Sequence, residues 1–171
     1  GSPTTLRFRP FLAFRSVNEL THENPLANSN MDECENGRYN RMYANFPNLY
    51  MQFSKSVQYV HDPQWYKGVE YPKERDRGYD YKEDLLVPGY FELPIKKGES
   101  IIFAAGISEC QTASLKNTWK KELSRRIRRE DMFSTLKNSA GQFYKREGDK
   151  CYLMAGYPWF KASAREEFMA M

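Results

Sequence analysis

The sequence predicts a mainly β protein whose C-terminal part turns helical: a partial antiparallel β-sandwich followed by two linking α-helices. Three observations carry that expectation. Aromatic residues make up 15% of the 171 residues, with 12 Tyr, 11 Phe and 3 Trp, a content that suits half-buried pleated surfaces. Across the first two thirds, short apolar runs alternate with period two and are separated by turn residues. Near Thr112 the rhythm changes to one of three to four residues.

In "TLRFRPFLAF", Leu6 and Phe8 alternate with Arg7 and Arg9, which predicts a strand with one face in and one out. "RYNRMYANFPNLYMQF" sets Tyr39, Arg41 and Tyr43 against Asn40 and Met42. After the turn "NFPN" it sets Leu49, Met51 and Phe53 against Tyr50, Gln52 and Ser54. "SKS" interrupts the run before Val57 and Tyr59, so a meander is expected. "YFELPIKKGESIIFAAG" has the outline of a hairpin turning at Lys96 to Ser100, with the missing N–H of Pro94 facing away from the ladder. Residues 18–37 and 65–92 read as long irregular stretches, of the kind that are functional or pinned to a neighbour.

Leu115, Trp119, Leu123 and Ile127 then form a narrow apolar stripe, and Thr112 or Ser114 is placed to cap the helix that carries it. Met132, Phe133, Leu136, Ala140, Phe143 and Tyr144 give a second helix a wider apolar face, with Asp131 at its N-cap. "GDKCYLMA" supplies a turn and a short strand-like piece from Cys151 to Ala155.

Composition bounds the function classes. At this length a folded chain buries about 70% of its unfolded surface, enough for a core. Net charge is only +4, with 28% charged residues of both signs, so nothing in the balance demands a nucleic-acid partner. Cys34, Cys110 and Cys151 are widely spaced, and His22 and His61 are the only histidines. That pattern builds neither a zinc site nor a disulfide framework, and no metal or other cofactor is expected. Lone thiols fit a reducing compartment, so the expected location is cytoplasmic. No apolar run approaches the ~20 residues of a membrane span.

Three stretches hold chemistry-bearing residues. Lys116, Lys120, Lys121, Arg125, Arg126, Arg128 and Arg129 crowd the first helix. They read as a solvated face opposite the apolar stripe rather than a phosphate-binding helix. Glu70 to Asp84 carries six carboxylates interleaved with Lys73, Arg75, Arg77 and Lys82. Mutual ion pairing that pins a loop, packed by Tyr71, Tyr79 and Tyr81, fits that interleaving better than a pair of carboxylates doing acid–base work. In "GYPWFKASAREEF", Tyr157 and Trp159 offer flat faces on which sugars stack. Arg165 offers a fork of donors and Glu166 offers acceptors, together able to hold neighbouring hydroxyls.

Taken together, three segments resemble the glycogen debranching enzymes of the bacterial and archaeal amylo-α-1,6-glucosidase type. "RPFLAFRSVNELTHEN" is similar to a stretch of that family's N-terminal sandwich. "WYKGVEYPKERDRGYDYKEDLLVPGYFE" is similar, nearly residue for residue, to its "WYxxxEYPxExxRGYDxxEDLxxPGxFE". "AGYPWFKASAREEF" resembles the "AGYPWFGDWGRDTF" that opens its catalytic domain. Here Lys161, Ala162 and Ser163 replace the family's Gly–Asp–Trp, and Glu166 replaces an Asp one methylene shorter.

The resemblance implies a supersandwich-like domain over residues 3–110, a linker with the first helices over 111–146, and over 147–171 the start of a catalytic α/α toroid. It implies a parent enzyme that hydrolyses α-1,6-glucosidic branch linkages with inversion, using one carboxylic acid and one carboxylate. It places both of those catalytic groups outside this chain. By position it implies that Trp159, Arg165 and Glu166 contact substrate. The implied partners are an α-glucan and the missing toroid, with homodimerisation through open strand edges as a further expectation; neither nucleic acid nor membrane is among them. The alternative is a non-catalytic α-glucan-binding or structural β-sandwich module, presenting aromatics such as Trp65 and Tyr79 to sugar.

Overall fold

The computed structural model describes residues 4–126, 128–156 and 160–170, with backbone alone at Glu166 and Ala170. The chain forms two compact units, Gly1–Trp119 and Lys120–Met171. The first is mainly antiparallel β, as the sequence predicts, and apart from one short helix at a hairpin tip the helices lie in the C-terminal part of the chain.

Seven strands build the first unit: β1 (Thr4–Phe8), β2 (Asp32–Cys34), β3 (Gly37–Asn40), β4 (Leu49–Phe53), β5 (Gln58–Glu70), β6 (Lys82–Ile95) and β7 (Phe103–Gly106). They form a three-stranded sheet in the order β1-β6-β5 and a four-stranded sheet in the order β2-β3-β4-β7, every pair antiparallel. The sheets face one another through interleaved rings. Phe8 and Phe91 of the first sheet meet Phe53 of the second at centroid distances of 5.8 and 5.0 Å, and Phe103 lies 4.7 Å from Phe8. Leu12, Met42, Met51, Leu86 and Leu93 complete this core. Aromatic-rich strands put more apolar area between two small sheets than aliphatic ones would, which is what a short sandwich needs.

Several sequence expectations change on contact with this architecture. Residues 65–92 are mostly not irregular. They belong to a long β5–β6 hairpin whose tip carries a short helix, α1 (Pro72–Asp76). Two register shifts, between His61 and Gln64 and between Tyr66 and Val69, break the period-two phase and hide the strand from a pattern search. Lys96–Ser100 does turn, with Glu99 N–H donating to Lys96 O at 3.0 Å. However, β6 and β7 lie in different sheets, so this segment crosses between sheets rather than closing a hairpin. Pro94 lies beyond the end of the β5 pairing at Glu92 and is flanked by β1 alone. Leu6 is 48% exposed although its partner Leu93 is buried, because β1 is an edge strand. Asn40 and Met42 point inward and are fully buried.

Helix α2 (Leu115–Arg125) is entered through a 3₁₀ turn at Thr112–Ser114, and neither Thr112 nor Ser114 caps it by a local side-chain bond. Instead Glu35 accepts from Thr112 N–H at 3.0 Å, and Asn36 Nδ2 donates to Thr112 Oγ1 at 2.9 Å. A distant carboxylate thus supplies the anion that a helix start attracts. Of the apolar stripe, Leu115 is buried while Trp119 and Leu123 are about half exposed; Ile127 lies outside the described residues.

In the second unit, α3 (Met132–Ala140) starts where expected. Asp131 Oδ1 accepts from Ser134 N–H at 2.7 Å, and Ser134 Oγ accepts from Asp131 N–H at 3.1 Å, a reciprocal cap. Phe143 falls in a following 3₁₀ turn, and Tyr144 opens β8 (Tyr144–Glu147) rather than extending the helical face. β8 pairs with β9 (Lys150–Leu153), and α4 spans Ala164–Ala170. Among the described residues no helix is long and apolar enough to cross a membrane.

Candidate functional site

The two motif stretches of the first unit meet at Glu83 and Asp84. Glu83 is fully buried on β6, and both its oxygens are occupied. Arg15 donates to them from both Nε and Nη2, the latter at 3.0 Å. Tyr71 O–H donates at 2.6 Å, and the Thr21 backbone N–H at 3.1 Å. Burial alone would raise this carboxyl, but the bonds from Arg15, Tyr71 and Thr21 outweigh it and hold it below its ordinary range. Asp84 then accepts from Glu23 N–H at 3.0 Å and from Gly68 N–H at 2.9 Å, and those two amides lower its pKa. Its own N–H donates to Thr21 O at 2.7 Å.

The chemical reading of this cluster is anchorage. A carboxylate with every acceptor position filled, away from solvent, has no free edge for water or substrate. At the hairpin tip, Glu70 pairs with Lys82 at 3.3 Å and Arg75 at 3.7 Å, and Arg77 pairs with Glu74 at 3.3 Å. That is the interleaved ion pairing the sequence suggests. Tyr71 packs down by engaging Glu83, whereas Tyr79 stays exposed. Sequence reasoning missed Arg15 and Thr21 as partners of Glu83. The signal available was a buried-strand pattern, "EDLLV", that begins with two acids.

Burial first, with Glu109 adding to it, pushes the Cys34 thiol up to about 11, and burial raises Cys110 as well. Such thiols are poor nucleophiles. All three cysteines are free, and Cys151 is exposed. Among the described residues no three His, Cys, Asp or Glu side chains are grouped to hold a metal ion.

Of the two first-unit aromatics expected to face sugar, Tyr79 is exposed at 59% and Trp65 is half-buried. Trp65 packs against the core, which covers part of its ring. The exposed pair is Phe11 and Tyr66, 48% and 37% exposed, with ring centroids 4.7 Å apart at 64°. Tyr66 follows Trp65 on β5 and therefore points to the opposite face.

At the end of the chain, Phe160 N–H donates to Gly156 O at 2.7 Å, and Ala155 N–H donates to Lys161 O at 3.3 Å. These bonds place Gly156 beside Phe160 and Ala155 beside Lys161 ahead of α4. Arg165 stands exposed on the first turn of α4. Trp159 and the side chain of Glu166 lie outside the described residues. The acid seen to reach inward is the next one: Glu167 Oε1 accepts from Leu153 N–H at 2.9 Å, tying α4 to β9.

The family model for the N-terminal region of glycogen debranching enzymes matches residues 1–102. The chain belongs to that family. No curated protein and no solved structure matches it. The match ends just before β7, so it covers the debranching-enzyme motif stretches that lock together through Glu83 and Asp84. In this debranching-enzyme N-terminal region, then, the long motif encodes a hairpin and its anchor.

Proposed function

We propose that this chain is part of a glycogen debranching enzyme that hydrolyses α-1,6-glucosidic branch linkages with inversion, the catalytic acid and base lying in a toroid outside it. The observation that carries the reading is the family match over residues 1–102. In keeping with it, Glu83 of the long motif is saturated and buried, which suits an anchor rather than a catalytic acid or base. Trp159, Arg165 and Glu166 serve as substrate contacts, Arg165 holding paired hydroxyls through its fork. The expected compartment is the cytoplasm.

The test has two arms. Incubated alone with a branched limit dextrin, the 171-residue chain is expected to release no glucose; release of glucose would overturn the assignment. In an enzyme that joins this chain to its toroid, Arg165→Ala is expected to lower kcat/KM for branch hydrolysis by about 10- to 100-fold, and unchanged kinetics would remove Arg165 from the site.

A second reading is favoured by one observation, the exposed Phe11–Tyr66 pair. Two tilted rings suit a curved α-glucan better than a flat chain, and the sandwich would then bind polymer without cleaving it. Retardation of the chain in a glycogen-containing native gel, lost in Tyr66→Ala, would favour that module.

A further inference from the structure

The basic run expected on the first helix outlasts it: α2 ends at Arg125, and Arg126, Arg128 and Arg129 come after its end. The run does not form a uniformly solvated face. Arg125, Arg126 and Arg129 converge with Glu122, Asn138 and Gln142 around one cavity of about 580 Å³ in the second unit. Its charges do not cancel. Glu122 is shared between Arg126 at 3.3 Å and Arg125 at 3.8 Å. Arg129 faces a neutral group instead: with the amide of Asn138 oriented to satisfy it, the carboxamide oxygen accepts from Nη2 at 3.0 Å and Nε at 3.3 Å. That is the guanidinium edge that ordinarily takes two oxygens of a carboxylate or phosphate. The C-terminal ends of α2 and α3 contribute about half a negative charge each. Against three guanidiniums, one carboxylate and two helix ends leave a surplus of about one positive charge.

We propose that this cavity binds a phosphate monoester dianion, free or carried by a sugar. Arg129 and Arg125 hold the phosphoryl oxygens, displacing the Asn138 oxygen from the Arg129 fork. The amides of Asn138 and Gln142 are then available to hydroxyls, which favours the sugar-borne form. Three like charges brought together are costly until an anion arrives, so binding relieves repulsion already present in the fold. The volume lies within the range of small-molecule sites. Glu122 competes with the ligand for two of its three cations. None of this depends on the glucan reading above, since the site and its ligand are separate from branch hydrolysis.

The test is calorimetric titration of the 171-residue chain with inorganic phosphate, glucose 6-phosphate, glucose and a single-stranded oligonucleotide at two salt concentrations. Expected are saturable binding of at least one phosphate, none of glucose, and affinity that falls as salt rises. Arg129→Ala is expected to weaken binding at least tenfold, and Glu122→Gln to tighten it several-fold, with thermal unfolding midpoints of both variants near that of the parent. Arg41→Ala, in the first unit, serves as an unaffected control. Tighter binding of glucose 6-phosphate than of phosphate assigns the sugar-borne source, and equal binding assigns the free ion; either supports the site. No binding of either phosphate, indifference to both variants, or preference for the oligonucleotide overturns it.

Discussion

At Arg15 the side chain keeps a fifth of its surface in water, while its partner Glu83 has none. The asymmetry decides which deletion hurts more. Arg15→Ala leaves an unpaired carboxylate in the interior and is expected to cost about 3–5 kcal/mol. Glu83→Gln leaves a guanidinium that can turn toward solvent, and is expected to cost less. Equilibrium urea unfolding ranks the two, and the reverse order would contradict the burial argument. The pH dependence follows from the depressed carboxyl. Because the folded pKa lies below the unfolded one, near 4.3, the contribution is complete above that range and is lost as pH falls through the folded value. In Arg15→Ala the guanidinium's share of the depression is gone while Tyr71 and Thr21 still donate, so the folded pKa rises above that of the wild-type chain. The penalty of Arg15→Ala should therefore be full near pH 7 and shrink as pH falls through the carboxylate range, where Glu83 is protonated in both proteins. A parallel decline in both proteins would show that Glu83 does not titrate as described.

At the level of elements, the β5–β6 hairpin depends on a close approach at Gly89. A Cβ there would sit 2.2 Å from Val60 O and 2.7 Å from the Tyr59 hydroxyl, at φ +156°. Tyr59 O–H is itself committed to Pro88 O at 2.8 Å. Gly89→Ala therefore pushes β5 away at its bulge, and a loss of about 2–3 kcal/mol is expected, the cost of overpacking. An unchanged urea midpoint would mean that the hairpin yields there freely. The same bulge explains what the sequence concealed. Leu49, Met51 and Phe53 were legible because an unbroken alternation leads to a packed face. Trp65 and Tyr66 were not, since the register shifts on either side of them leave only three residues in phase. The crossover after β6 was hidden too, because a turn at Lys96–Glu99 looks alike whether the next strand pairs with its predecessor or joins the opposite sheet. Asp131 was legible from the sequence because a cap is local. The Glu83 anchor and the Arg129 cavity were not, since both join residues brought together only by tertiary structure.

For the whole molecule, unpaired strand edges set the behaviour in solution. Sheet order leaves β1 and β5 open on one sheet and β2 and β7 on the other. β2 and β7 have three and four residues, too few to template a stable ladder. β5 is long, but Pro63 and its two register shifts interrupt its hydrogen-bonding edge. β1 remains: five residues, no shift in its pairing with β6, and Leu6 exposed beside its threonines. Self-association of the isolated chain is therefore expected through β1 of two copies, run antiparallel about a twofold axis. Sedimentation across a hundredfold range of concentration should show a monomer–dimer equilibrium. Thr5→Pro removes a backbone donor, and Leu6→Lys adds like charges across the twofold axis; both should shift the equilibrium to monomer. If the wild-type chain sediments as a monomer throughout that range, the β1 edge is not adhesive. If it dimerises equally well in both variants, the contact lies elsewhere, and the uncovered side chains of α3, with Met132 78% and Phe133 74% exposed, become the next surface to substitute.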